Sequence, residues 1–114
     1  MSKAERRDNK RVPIKFDVNY VHDGDYLISF TENISVDGMF LYTENPPQVG
    51  DTILLTFTLG DLKDETLRAR VMWVNQTKSS QDYGIGVNFI NPPEKLQQSI
   101  LQIIKRIALI EREQ

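Results

Sequence analysis

The sequence contains no cysteine and only one histidine, His22, among its 114 residues. Disulfides, thiolate nucleophiles and cysteine-ligated metals are therefore excluded, and a single histidine cannot build a histidine-rich metal site. No apolar run approaches the roughly 18 residues of a membrane-spanning helix. The polar start, MSKAERRDNKR, is unlike a secretory signal. We expect a cytoplasmic protein with no metal, no cofactor and no membrane insertion.

Basic residues are missing from a long stretch, since no Lys or Arg occurs between positions 16 and 62. Six of the 14 basic residues lie instead within the first 15 positions, where only Glu5 and Asp8 oppose them. The remainder of the chain is acidic. A basic arm on an acidic body favours an anion-binding end, whereas nucleic-acid coating needs basic residues across a whole surface. We therefore expect neither DNA nor RNA as a partner.

Alternation of apolar and polar residues predicts six strands. The clearest strand covers positions 12–20, where every second residue is apolar: Val12, Ile14, Phe16, Val18 and Tyr20. The other strands are predicted at about 26–32, 39–42, 52–59, 66–75 and 83–90. Six short strands with short connections favour an all-β fold, either an antiparallel barrel or a sandwich.

The apolar period changes to three and four residues near the C-terminus. This change predicts a helix over about 93–111, with Asn91 as its cap and Pro92 in its first turn. The helix is expected to cover an open face or one mouth of the sheet. Residues 12–114 then form a single domain. Residues 1–11, which are almost entirely polar, are predicted to be a flexible basic arm.

Two short motifs suggest a function. The first is RxxxR, formed by Arg7 and Arg11 with Arg6 just before it, and the second is NxSxxG, formed by Asn33, Ser35 and Gly38. Together they resemble the signature of the PilZ domain, a bacterial receptor for cyclic di-GMP. The runs GMFL at 38–41, VMWV at 71–74 and GIGVNF at 84–89 are similar to strands of that family. The resemblance covers nearly the whole chain and implies a six-stranded antiparallel barrel with a C-terminal helix packed on it.

The resemblance implies a receptor rather than an enzyme, and the motif residues suit its ligand. Arginine can pair with phosphate oxygens and with a guanine edge, and its flat face can stack on a purine. Asparagine and serine can hydrogen-bond guanine or phosphate, and glycine can take a positive φ or allow close approach. The predicted binding residues are Arg6, Arg7, Arg11, Asn33, Ser35 and Gly38. An arginine at the position of Arg6 accompanies a stacked pair of ligand molecules in the family.

Other interpretations remain open at this point. The chain could be a PilZ-like domain that binds a protein without nucleotide, and its loop at 33–38 could be only a turn whose side chains bond their own backbone. A barrel that binds single-stranded nucleic acid is disfavoured by the acidic body.

Trp73 is in phase with core residues, which predicts core packing, although the resemblance allows contact with the ligand. Asp37 stands where the family often has glycine, and it adds a negative charge near a dianion. We expect a protein partner, and a monomer or a ligand-dependent dimer.

Overall fold

A barrel of six strands forms the body of the protein. The computed structural model describes residues 12–76 and 83–112, so the predicted arm at 1–11 lies outside the described residues. The elements are β1 (Val12–His22), β2 (Asp25–Ile34), β3 (Gly38–Tyr42), β4 (Thr52–Leu59), β5 (Leu62–Asn75), β6 (Gly84–Phe89) and the helix α1 (Glu94–Arg112). All strand pairs are antiparallel, and the barrel closes in the order β1–β2–β3–β6–β5–β4. The predicted barrel with a C-terminal helix is confirmed.

The core lies inside the barrel because each strand turns alternate side chains inward. The fully buried side chains of the strands include Val18, Tyr20, Ile34, Met39, Leu41, Ile53, Leu55, Val71, Ile85 and Val87. Helix α1 packs on the barrel with Leu96, Ile100 and Ile104, which recur every four residues and are buried. Among the residues that the structure describes, no helix has the length and apolar character to cross a bilayer.

Strand β5 begins earlier than the alternation pattern predicts. Leu59 pairs with Leu62, so the connection from β4 is a tight turn at Gly60, whose φ is 61°. Asp64 also has a positive φ of 51°, and its N–H donates to Thr58 Oγ1 at 2.9 Å. The register of β4 and β5 shifts at this point. This bulge interrupts the alternation and made residues 60–65 look like a turn.

Helix α1 begins at Glu94, three residues after the predicted cap at Asn91. The carbonyl of Pro93 accepts the N–H of Gln97 at 3.0 Å, which places Pro93 at the N-cap and Glu94 in the first turn. Asn91 has a φ of 45° and lies in the turn after β6, so its predicted capping role is wrong. The physical reason is the Pro92–Pro93 pair, because a residue that precedes proline is disfavoured from helical geometry.

One buried hydrogen bond ties β1 to the segment that follows β3. The Tyr20 hydroxyl and Thr43 Oγ1 lie 2.7 Å apart, and Tyr20 is fully buried. Burial raises the pKa of Tyr20 because the phenolate would lose its hydration, and the hydrogen bond from Thr43 partly opposes this rise. Tyr20 therefore favours the folded state only in its neutral form.

Tyr20→Phe is expected to lower the free energy of unfolding by about 1 kcal/mol, since the buried Thr43 hydroxyl would lose its shorter hydrogen bond and keep the one from the Asn45 N–H at 3.4 Å. The pKa of Tyr20 is higher in the folded than in the unfolded chain, so its contribution is complete below about pH 10 and falls as the pH rises above that value. Urea unfolding at neutral and alkaline pH should show a smaller alkaline loss for Tyr20→Phe than for the wild type. An equal loss in both proteins would contradict this account.

Candidate functional site

The NxSxxG motif forms the loop between β2 and β3. The N–H of Ser35 donates to the carbonyl of Gly38 at 2.9 Å, and the N–H of Gly38 donates to Ser35 Oγ at 3.2 Å. Ser35 Oγ also donates to the Gly38 carbonyl at 3.2 Å, and the Ser35 side chain is buried. Ser35 and Gly38 are therefore each other's hydrogen-bond partners, which fixes the shape of this loop.

Gly38 is required by the close approach of two strands. It pairs with Asn88 of β6, and a Cβ added to Gly38 would overlap the backbone carbonyl of Val87. The φ of Gly38 is not positive, since the glycines with positive φ are at other positions. Of the two reasons that the sequence suggested for this glycine, the structure supports close approach and not a left-handed backbone.

Asn33 lies in a bulge of β2 just before this loop. Between the pairs Phe30–Tyr42 and Ile34–Met39, strand β2 contains three residues where β3 contains two. The Thr31 hydroxyl donates to the Asn33 carbonyl at 2.7 Å and accepts its N–H at 3.3 Å. The bulge therefore has a fixed backbone, and it holds the partly exposed Asn33 on the outer surface of the barrel.

Trp73 lies on the same outer surface, so its predicted packing in the core is wrong. A bulge in β5 shifts the register between Val71 and Trp73, and the indole is 48% exposed. Its ring stacks on Phe40, with centroids 5.1 Å apart and an interplanar angle of 29°. A Cβ on Gly86 would collide with the indole, so this glycine of β6 makes room for the ring. The bulge reverses the phase that made Trp73 look like a core residue.

A continuous row of aromatic rings crosses this surface. Phe30 stacks on Tyr42 with centroids 4.8 Å apart, and Tyr42 meets Phe40 edge-on, also at 4.8 Å. Phe40 then stacks on Trp73, which completes the row. Lys15 Nζ lies 4.9 Å from the centroid of Phe30, at the other end. The row therefore offers flat apolar faces with a cation at one end.

Asn33 and Trp73 share one groove, which we call the tryptophan groove. It has a volume of about 270 Å³ and is lined by Asn33, Phe40, Tyr42, Trp73 and Asn75. Aromatic faces can stack on a nucleobase, and the two amide side chains can each donate and accept hydrogen bonds along its edge. Within the described part of the chain, no group of acidic or histidine side chains could hold a metal ion. The groove thus suits a flat, polar-edged ring.

The predicted arginines, Arg6, Arg7 and Arg11, lie outside the described residues, so the structure does not place them. It does place the point at which their segment joins the barrel. Val12 pairs with Ile34 and Pro13 pairs with Asn33, so β1 begins beside the NxSxxG loop. Arg11 is the residue that directly precedes β1 in the sequence.

A comparison with protein-family models gives one decisive match. The model of the PilZ domain matches residues 5–106, a range that includes both motifs and all six strands. The chain belongs to the PilZ domain family. The predicted family, known as a family of cyclic di-GMP receptors, is confirmed, and no catalytic family is indicated. No curated protein matches the sequence.

Solved PilZ structures share this fold. The structure of the Bacillus subtilis inhibitor of motility, MotI/DgrA, superimposes with a TM-score of 0.75 at 19% identity, covering 91% of this chain and 51% of that one. The PilZ domain of Escherichia coli YcgR with c-di-GMP gives 0.71 at 16% identity, covering 95% of each chain. The K. pneumonia MrkH–c-di-GMP complex gives 0.74 at 18% identity, covering 96% and 56%. The chain thus spans about half the length of MotI/DgrA and MrkH.

Sequence reasoning missed several candidate residues of this PilZ domain. It identified Asn33, but not Phe40, Tyr42 or Asn75, and it placed Trp73 in the core. Phe40 and Tyr42 could have been found from β3, where Met39 and Leu41 are buried and the intervening aromatic residues therefore face outward. An aromatic side chain that the strand alternation places on the outer surface of a barrel indicates stacking or ligand binding.

Proposed function

We propose that this PilZ domain binds cyclic di-GMP on the outer surface of its barrel. The tryptophan groove receives a guanine, and arginines of residues 1–11 bind the phosphates. The observation that supports this proposal most is the shared groove of Asn33 and Trp73, because it joins the motif loop to an exposed stacking surface. The bound dinucleotide then changes the surface that the domain presents to a protein partner.

The guanine has a stacking surface and an edge to satisfy. The Phe40–Trp73 pair provides the surface, since the indole is 48% exposed and its orientation is fixed by the stack. Asn33 and Asn75 border the same groove, where their amides can hydrogen-bond the guanine edge. The backbone of Asn33 is held there by the Thr31 hydroxyl, so little backbone entropy is lost on binding.

The phosphates require positive charge, which the described surface supplies only sparingly. β2 and β3, which supply three of the five residues that line the groove, contain no Lys or Arg. The basic residues of β5 do not line the groove, and Lys15 already contacts Phe30. We therefore assign the phosphates to Arg7 and Arg11, whose segment enters β1 beside Asn33. Arg6 would contact a second, stacked ligand molecule. Ser35 and Gly38 take part by shaping the loop next to Asn33, since their polar groups bond each other.

Isothermal titration calorimetry with cyclic di-GMP tests the proposal. GTP and the linear dinucleotide serve as controls, because they carry guanine and phosphate without the cyclic shape. We expect selective binding of the cyclic form with a dissociation constant in the micromolar range or tighter, and two ligands per chain if Arg6 supports a stacked pair. No binding by calorimetry and by equilibrium dialysis would overturn the proposal and leave a PilZ-like domain that binds a protein without nucleotide.

Asp37→Asn is expected to increase the affinity for cyclic di-GMP at least about twofold at low salt. The Asp37 side chain is exposed in the motif loop, where its charge repels a dianion. The fold should not change, because the contribution of Asp37 to the barrel is its carbonyl, which accepts the N–H of Phe89 at 2.8 Å. Calorimetry at low and high salt checks this, and the gain should shrink as salt increases. An affinity equal to that of the wild type at low salt would contradict it.

A further inference from the structure

A second groove lies on the other side of the aromatic row. We call it the acidic groove; it has a volume of about 500 Å³ and is lined by Asp17, Ile28, Ser29, Phe30, Tyr42, Thr43, Glu44 and Tyr83. The stacked rings of Phe30 and Tyr42 form part of its wall. Tyr42 lines this groove and the tryptophan groove alike, so the two share one side chain.

The acidic groove combines aromatic walls with two carboxylates. Asp17 and Glu44 are exposed, and neither has an ion-pair partner within the described residues. The stretch from position 16 to 62, which supplies most of β1 and all of β2 to β4, contains eight acidic residues and no Lys or Arg. One cation of β1 is nearby, since Lys15 Nζ lies 4.9 Å from the centroid of Phe30. Carboxylates beside tyrosine and phenylalanine rings attract a guanidinium or ammonium group, by charge and by cation–π contact.

An exposed apolar ledge borders this groove on strand β2. Ile28 is 78% exposed and Tyr26 is 64% exposed, and both lie on the same side of the strand as Phe30. The Tyr26 hydroxyl accepts a hydrogen bond from Asn19 Nδ2 at 2.8 Å, which fixes the ring against β1. Large apolar side chains that are this exposed and adjacent indicate a contact surface.

We infer that this surface docks a protein partner through an arginine or lysine side chain. The cation enters the acidic groove between Asp17 and Glu44, and an apolar side chain next to it packs on the ledge of Tyr26 and Ile28. A second copy of the same surface fits poorly, because a symmetric contact would bring carboxylates against carboxylates. The inference deepens the proposed function and rests on it for one feature, the coupling of the two grooves through Tyr42.

The coupling follows from the position of Tyr42. Its ring stacks on Phe30 in the acidic groove and meets Phe40 edge-on in the tryptophan groove. A guanine that stacks in the tryptophan groove presses on Phe40 and Trp73, and a change in the position of Phe40 is passed to Tyr42. The acidic groove then changes shape when the dinucleotide binds, which links ligand to partner.

Two peptides test the docking surface by NMR titration of the ¹⁵N-labelled protein. One is an acetylated, amidated pentapeptide that alternates arginine and leucine, and the other has glutamate in place of arginine. We expect only the arginine peptide to shift the amide signals of β1, β2 and residues 42–44. The double variant Asp17→Asn with Glu44→Gln should weaken binding at least about tenfold, and Ile28→Ser at least about threefold. Asp61→Asn, in the distant β4–β5 turn, is the matched control and should leave binding unchanged.

Three results would overturn the inference. Equal binding of both peptides, or unchanged binding by the double variant, would remove the acidic groove from recognition. A dimer detected by sedimentation that Ile28→Ser dissociates would assign the surface to a second copy of the chain. Calorimetry with cyclic di-GMP on the same variants separates this inference from the proposed function, because Asp17, Ile28 and Glu44 are outside the tryptophan groove. Arginine-peptide binding by a protein that binds no dinucleotide would support the docking surface and overturn the receptor proposal alone.

Discussion

Replacing Arg7 or Arg11 by alanine is expected to weaken the binding of cyclic di-GMP at least about tenfold, a loss of ~1.4 kcal/mol or more. A forked guanidinium makes paired hydrogen bonds to a phosphate, and an alanine in its place leaves the phosphate charge without a partner. The effect is large because the surface from position 16 to 62 offers no other Lys or Arg. Calorimetry on each variant measures the loss, and Arg→Lys at either position should restore only part of it.

Lys10→Ala is the matched control for both arginine variants. It removes one positive charge from the same segment, but Lys10 stands at a variable position of the RxxxR motif and is not one of its two arginines. We expect Lys10→Ala to weaken binding less than about threefold, and less still at high salt, because only long-range attraction is lost. Thermal unfolding should be the same in all these proteins, since the residues of the hydrophobic core belong to the barrel and to helix α1. Unchanged affinity in both arginine variants would remove residues 1–11 from the mechanism.

Gly38→Ala is expected to lower the free energy of unfolding by about 1–3 kcal/mol and to weaken dinucleotide binding with it. The added methyl group would occupy the position of the Val87 carbonyl, so β3 and β6 must move apart at the pair of Gly38 with Asn88. This movement disturbs the hydrogen bonds between Gly38 and Ser35 and therefore the loop next to Asn33. Urea unfolding and calorimetry on the same sample measure the two effects.

Asp37→Ala is the control for Gly38→Ala. It changes the adjacent residue of the same loop, but the Asp37 side chain is exposed. Its unfolding free energy should stay within about 0.5 kcal/mol of the wild-type value. A Gly38→Ala protein as stable as this control would show that the two strands have room for a side chain. The close approach of β3 and β6 would then not explain the glycine.

Much of the fold could be predicted because most strands alternate without interruption. β1 and β4 show the period of two that a half-buried strand requires, and the spacing of Leu96, Ile100 and Ile104 shows the helix. The errors occurred where a contact distant in sequence, or a neighbouring proline, decides the backbone. Asp64 with its positive φ lengthens β5, and Pro93 delays the start of α1.

The candidate site was only partly predictable for the same reason. Asn33 belongs to a motif of fixed spacing, so the sequence identified it without knowledge of the fold. Trp73 depends on a bulge in β5 and on Gly86 of β6, and the register of two strands cannot be seen in either one alone. Phe40 becomes relevant only through its stack on Trp73. The groove is thus a property of four strands together, β2, β3, β5 and β6.

Two residues of the NxSxxG motif stabilise the loop and the barrel of this PilZ domain, whether or not a ligand is bound. Ser35 and Gly38 close the loop with their mutual hydrogen bonds, and Gly38 lets β3 lie against β6. Asn33 alone of the three lines the tryptophan groove. We therefore expect changes at Ser35 and Gly38 to alter stability and affinity together, while changes at Asn33 alter affinity alone.

The fluorescence of Trp73 tests the central claim most directly, because it is the only tryptophan of the chain and lies in the proposed binding groove. We predict that cyclic di-GMP quenches its emission with the same midpoint that calorimetry gives, since a guanine stacks against the indole. GTP should leave the emission unchanged, and Asn33→Ala should shift the midpoint to higher ligand concentration without changing the unfolding free energy. Binding that calorimetry detects but Trp73 does not report would place the dinucleotide elsewhere and contradict the account.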